Sequence, residues 1–397
     1  MGTDSITQHS KKGIGRVIKR FRLEIYNLTG RFGLLPQIPF LIVLILLCAG
    51  FTLAPTEQVK AAGISYTASQ IGTLPVGSTR IVRAVNDSGE IVGTAKDSSS
   101  GPKGFFWDAS GRHTIVGSET SGDYSSANDI NDKGEVVGSM NVPTGIRAFR
   151  SQRKDKLVFL DQLPGDTSSV ALAIGLSGKA TGWSSGSTRV RAAIWSPEGA
   201  VQALPMLPDS ESCRGLAINS HGDVAGVCDT SAGPRAVLWA GGSDKTAQDL
   251  GMLSGDYGSE ASGINDSGDI VGTSMDTAKG QRAVLWPKGG VIKDLGTLPD
   301  RLSSKALAIN NRGEVIGVSE GNGEEQAFLW TNEEGMQDLN NLLSSVSDFK
   351  LTHAISISSG GSITAIGHDK ITLPGDHSHD IHDLPLRIFR LNPVGAR

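Results

Sequence analysis

One short phrase, Ala-Ile-Asn-Asp-x-Gly-Asp/Glu-Ile/Val-Val-Gly, returns between Ala84 and Ser359 with a period of roughly 44 to 48 residues. Its copies run Ala84 to Gly93, Asp129 to Gly138, Ala173 to Gly182, Ala217 to Gly226, Gly263 to Gly272 and Ala308 to Gly317, with a degraded copy from Ile355 to Ala365. A period of this size specifies an array of supersecondary units, none of which can bury its apolar face alone.

The unit is legible from Ser259 onward. The chain reads Ser-Glu-Ala-Ser-Gly-Ile-Asn, turns at Asp266-Ser267-Gly268, and continues Asp-Ile-Val-Gly-Thr-Ser. A polar loop from Met275 to Gly280 leads to Arg282-Ala-Val-Leu-Trp286, a Gly-rich turn, and Val291-Ile-Lys-Asp-Leu-Gly296. These are four short β-branched or alternating runs, and no helical period appears after Ala62. Four strands in about 45 residues make one propeller blade. Seven copies predict an all-β, seven-bladed β-propeller of four-stranded blades.

The ends of the array predict how it closes. The seventh repeat stops after its third strand, Arg387-Ile-Phe-Arg-Leu391, while Gln70-Ile-Gly-Thr-Leu-Pro75 matches a fourth strand and precedes the first repeat. The N-terminal strand is therefore expected to complete the last blade and remove unpaired edges.

The first 61 residues follow other physics. Lys11, Lys12, Arg16, Lys19, Arg20, Arg22 and Arg31 precede an uncharged run from Phe32 to Pro55. About 20 apolar residues span a bilayer, and positive charge on the N-terminal flank holds that flank in the cytoplasm. The reading is a basic tail (1–38), a hydrophobic helix (39–55) acting as cleaved signal or retained membrane anchor, a linker (56–64) and the propeller (65–397). It places the propeller outside the cytoplasm, as a periplasmic, cell-surface or secreted domain. The chain carries 37 Lys and Arg against 41 Asp and Glu; removing the eight bases and three acids of Met1 to Ala61 leaves 29 against 38. An acidic domain without basic stripes argues against nucleic-acid binding, which depends on neutralising phosphates.

The Ile-Asn-Asp-x-Gly phrase, the third strand Ala327-Phe-Leu-Trp330 and the Asp-Leu-Gly-Thr-Leu strand (as in Asp294 to Leu298) together resemble the HAF family of extracellular repeat proteins, over about Tyr66 to Leu391. The resemblance implies an exported protein and carries no catalytic residues over. The His of the family's His-Ala-Phe motif is replaced here by Lys103, Arg147, Arg191, Arg235, Arg282, Gln326 and Arg387.

Recurring residues have mechanical readings. Asn and Asp cap a tight turn through their own backbone, and Gly accepts positive φ, so Asn-Asp-x-Gly predicts a hairpin corner. Calcium ligation by its oxygens is the alternative, and Asn86-Asp-Ser88 and Asn265-Asp-Ser267 also match a glycosylation acceptor. Trp107, Trp195, Trp239, Trp286 and Trp330 recur once per blade, with Ser151 in the second, and predict packing between blades. The recurring cations predict a solvated surface or pairing with acids such as Asp249 and Asp294, and a ring of positive charge is the alternative. Counting outward from the corner at Asn219 to Gly222 sets Cys213 opposite Cys228, close enough for a disulfide; two buried free thiols are the alternative.

One cluster looks like site chemistry. The loop between the second and third strands of the last repeat contains His368, Asp376, His377, His379 and His382. Imidazole with carboxylate suits a divalent transition metal, and the alternative is a solvated polar loop. Gly182-Trp-Ser-Ser-Gly186 and Gly317-Val-Ser-Glu-Gly321 match Gly-x-Ser-x-Gly, but no helix follows to form a nucleophile elbow. The sequence thus predicts a binding or scaffold module for an extracytoplasmic protein or glycan. Its alternatives are a metal-assisted hydrolase or lyase using the His-rich loop, and a membrane-anchored sensor or envelope-assembly partner. The expected ligand surface is the end formed by the variable loops between strands two and three and between strands four and one.

Overall fold

A computed structural model of the protein describes residues 64–74, 79–96, 101–108, 110, 112–117, 124–152, 156–241, 246–278, 280–370 and 385–395. These fall in the second of two units into which the chain divides, Ile64–Arg397. The basic tail and the apolar segment lie outside the described residues. Among the described residues no helix is long and apolar enough to cross a membrane. The fold is all-β, and the helical content described is one 3₁₀ turn, Leu339–Leu342.

Each repeat contributes an antiparallel set of strands in sequence order. In the fifth these are Gly258–Ile264, Ile270–Asp276, Gly280–Trp286 and a two-residue fourth strand, Lys293–Asp294. That fourth strand is shorter than the run from Val291 to Gly296 predicts. Described strands form five four-stranded sheets and one eight-stranded sheet. The larger sheet joins repeats three and four through one parallel bridge, Val190 to Ser212, a departure from the expected separate blades.

The N-terminal strand Tyr66–Leu74 pairs antiparallel with Leu386–Pro393, from Tyr66 opposite Pro393 to Leu74 opposite Leu386. It lies at the edge of the sheet formed by the three C-terminal strands, as the sequence predicts.

A β-bulge interrupts the first strand of every repeat, and it explains the last Gly of the phrase. At Gly138, Gly182, Gly226, Gly272 and Gly317 a Cβ would stand 1.9 to 2.0 Å from a first-strand carbonyl oxygen. In the seventh copy Ala365 stands at the phrase's end, opposite the bulge at Ala354 and Ser356; a further bulge lies between Leu351 and His353, and there Gly367 faces a crowded carbonyl oxygen, that of Lys350, at 2.1 Å. The copy that looks degraded in sequence thus has its glycine at the additional bulge, two residues further along the second strand.

The apolar clusters lie between repeats. One joins Val137, Ala148 and Leu160 of the second repeat to Ala171, Ile174 and Trp195 of the third. Another joins Ile388 of the seventh repeat to Val82, Phe105 and Trp107 of the first. Each recurring Trp packs against the repeat before it, and Trp195 and Trp239 are fully buried. Their indole N–H groups donate to Asp161 and Pro205 carbonyl oxygens of the preceding repeat, both at 2.7 Å. A one-sided sheet thus finds its missing face on its neighbour.

Candidate functional site

A cavity of about 260 Å³ is lined by the same corner of all seven repeats. The strand side of each corner supplies one β-branched residue: Val85, Ile130, Ile174, Ile218, Ile264, Ile309 and Ile357. The turn itself supplies polar groups, among them Asn86, Asp87, Asp132, Asn219, Ser220, Asp266 and Asn311. This cavity sits at the opposite end of the strands from the loops expected to hold the ligand.

The corners are held as predicted. Gly89, Gly134, Gly178, Gly222, Gly268, Gly313 and Gly361 have φ between +75° and +86°, where side chains other than Gly are strained. Asn86 Oδ1 accepts the Glu90 N–H at 2.9 Å, and Asn131, Asn219, Asn265 and Asn310 accept from the equivalent N–H.

Sequence reasoning did not find the second half of the Asn role. Each Nδ2 donates twice. One bond stays local, to Glu90, Glu135, Asp223, Asp269 or Glu314. The other crosses to the next corner: Asn86 to the Asn131 oxygen at 3.2 Å, Asn131 to Gly175 at 3.0 Å, Asn219 to Asn265, Asn265 to Asn310 and Asn310 to Ser358 at 3.1 Å each. The signal was present in the recurrence of Asn in five of the seven repeats, but a local turn explained it already. Gly175 holds the Asn position in the third repeat and has no amide to offer the fourth. The corner Asn side chains are thus committed to their own turns and to the neighbouring corners, and Asn86 and Asn265, which match the glycosylation acceptor, are buried.

Asp129 is the exception in its column, which elsewhere holds Ala84, Ala173, Ala217, Gly263, Ala308 and Ser356. Its carboxylate accepts the Ile174 N–H of the next repeat at 2.8 Å and its neighbour Ile130 N–H at 2.9 Å. Burial pushes its pKa up to about 7 against those hydrogen bonds, and the Asp132 charge adds to the rise. Burial and then Asp132 also raise Asp87, with Arg390 opposing. For Asp266, burial is outweighed by hydrogen bonds from Ser220 and Asn311, and its carboxyl lies below the ordinary range.

The remaining predicted residues divide as follows. His368 is the half-buried penultimate residue of the strand Ile363–Asp369, its Nδ1 2.9 Å from the Asp369 carbonyl oxygen, while Asp376, His377, His379 and His382 lie outside the described residues. Among the described residues no group of three His, Cys, Asp or Glu side chains is placed to hold a metal ion. Cys213 and Cys228 form a disulfide between fully buried, directly opposed residues, with Cα atoms 4.1 Å apart. In repeats three, five and six the same paired positions hold Ser169 and Ser184, Ser259 and Ser274, and Ser304 and Ser319. Of the recurring cations, Arg191 pairs with Asp166 at 2.8 Å, Arg235 with Asp249 at 3.9 Å, and Arg387 with Asp369.

No family model matches the chain, and no curated protein matches it. Solved structures that it resembles include a streptogramin B lyase, at 12% identity and TM-score 0.46, covering 83% of this chain and 98% of that one. A catalytically inactive virginiamycin B lyase from Staphylococcus aureus with quinupristin matches at 12% identity and TM-score 0.48, covering 83% and 99%. The β-propeller domain of the Trilobed protease from Pyrococcus furiosus matches at 9% identity and TM-score 0.48, covering 78% and 93%.

Proposed function

We propose that residues 65–397 form a closed seven-bladed β-propeller of the HAF type, exported and held at or released from the membrane, that acts as a binding or scaffold module. Closure is supported by the cavity that takes one corner from each repeat, and by the apolar cluster that joins the seventh repeat to the first. Pairing of the first and last strands then ties the ring with main-chain hydrogen bonds.

The observation that carries the binding role is an arc of exposed apolar side chains. Tyr257, Leu302 and Val346 are 46, 68 and 100% exposed and stand in three successive connections from a fourth strand to the next first strand. Aligned apolar exposure on a rigid frame marks an interaction surface. It lies at the end the variable loops predict, and its chemistry favours an extracytoplasmic protein over a glycan.

The test is in-cell photo-crosslinking from Tyr257, Leu302 and Val346, with Val291 at the opposite end, 84% exposed, as the control. A discrete protease-sensitive adduct from the first three positions and not from Val291 is expected. Adducts that resist protease and yield to glycosidases would move the assignment to a glycan, and equal or absent labelling from all four would remove it.

A further inference from the structure

The corner-end cavity is unusual in what it has left to offer. Both amide hydrogens of every corner Asn are consumed, one within its own repeat and one by the next. Four main-chain donors at the lining are consumed as well: the Asp87 N–H by Asp132, the Ser220 N–H by Asp266, the Asp266 N–H by Asn311 and the Ile174 N–H by Asp129. Acceptors are in surplus. Four aspartates line the cavity, and its lining contains no Lys, Arg or His. The Asn219 carbonyl oxygen faces Gly175, so it lacks the side-chain amide that the carbonyl oxygens of Asn131, Asn265 and Asn310 receive.

The same cavity presents seven β-branched side chains. The best-matched guest brings hydrogen-bond donors and positive charge at one end and apolar surface at the other, because the lining holds four aspartates and no cation, and a bare ion would leave the aliphatic wall unused. We propose that the corner-end cavity binds a primary ammonium or guanidinium group on an aliphatic stem, as carried by a Lys or Arg side chain of a protein or by a free alkylamine. Binding adds a countercharge to a lining that contains none of its own. The inference uses the ring of corners and is independent of what the opposite end binds, so its failure leaves the proposed function standing.

The experiment follows the methyl resonances of Ile130, Ile218 and Ile309 in the full chain during titration. The probes are N-acetyl-arginine methylamide, N-acetyl-lysine methylamide, agmatine and the uncharged N-acetyl-norleucine methylamide. The expected result is saturable shifts with the charged probes, at least tenfold weaker with the norleucine probe. Affinity is also expected to fall as salt rises, since the attraction is partly screened. Asp87→Asn with Asp132→Asn should weaken binding at least tenfold while the thermal midpoint stays within a few degrees; the salt series tests the charge dependence without any variant. Amino-acid derivatives binding more tightly than agmatine would assign a protein side chain, and the reverse a free amine. No saturable shift, or equal binding of the norleucine probe, would overturn the proposal.

Discussion

Asn131 places its Nδ2 3.0 Å from the Gly175 carbonyl oxygen, 44 residues away in the next repeat, while its Oδ1 accepts the Glu135 N–H at 3.0 Å. One buried amide therefore closes its own hairpin and fastens the neighbour. Local turn chemistry and long-range assembly are the same residue's work, which is why the phrase recurs at the period of the fold.

Asn131→Ala removes four hydrogen bonds, to Lys133, Glu135 (twice) and Gly175. Left without partners, buried groups cost about 1–3 kcal/mol each site. Urea unfolding should show a loss of about 2–3 kcal/mol, and Asn131→Asp should lose nearly as much because it cannot donate to Gly175.

Gly175→Asn should have the opposite sign. Gly175 has no positive φ, and a Cβ there would stand 3.2 Å from the Asn219 carbonyl oxygen, the place the other corners use for the crossing bond. A gain of about 1 kcal/mol is expected in the same unfolding assay. A loss would mean that the third corner cannot widen by the few tenths of an ångström required.

Cys213 and Cys228 occupy positions that pair as serines in three other repeats. Cross-linking residues 15 apart in sequence stabilises by about 3 kcal/mol in the chain-entropy account. The double change Cys213→Ser and Cys228→Ser should therefore cost about 2 kcal/mol after a serine hydrogen bond returns about 1 kcal/mol. Under native conditions neither thiol of the reduced protein should react with a bulky maleimide, since both residues are fully buried.

Stability should also depend on pH through Asp129. An aspartate unfolds to an ordinary pKa of 3.8, whereas in the fold it stands at about 7. The folded state then holds the extra proton between those values, so stability falls as pH rises from about 4 to 7 and flattens above. Each pKa unit corresponds to about 1.4 kcal/mol. Thermal midpoints of Asp129→Asn should lack this component of the slope; an unchanged slope would show that Asp129 titrates in its ordinary range.

Much of the fold was legible because its signals are local and repeated. Gly222 at positive φ, Asn219 capping its own turn and the apolar run from Val224 to Val227 can each be read from a few neighbouring residues. Counting from that corner also set Cys213 opposite Cys228, since an antiparallel register propagates from its turn. The bulge carries the same logic further. A glycine opposite every first strand reads as a repeat residue, but its cause, a carbonyl oxygen 2.0 Å from where the Cβ of Gly226 would be, needs coordinates.

The candidate site was less legible. His368 to His382 drew attention through side-chain chemistry concentrated in one stretch of sequence, whereas the cavity is assembled from single residues about 45 positions apart. Asp129 reads as one departure in a column of small residues; only the packed neighbour reveals that its carboxylate braces Ile174. The sequence by itself determined the repeat, the corners, the cross-strand cysteines and the partnering of the first strand with the last, because each depends on short-range backbone geometry or on matching ends. Tertiary structure alone decided which donors are spent between repeats, which acceptors remain, and where a cavity opens. Those outcomes depend on distances between residues that the chain brings together only after every repeat has packed against the next.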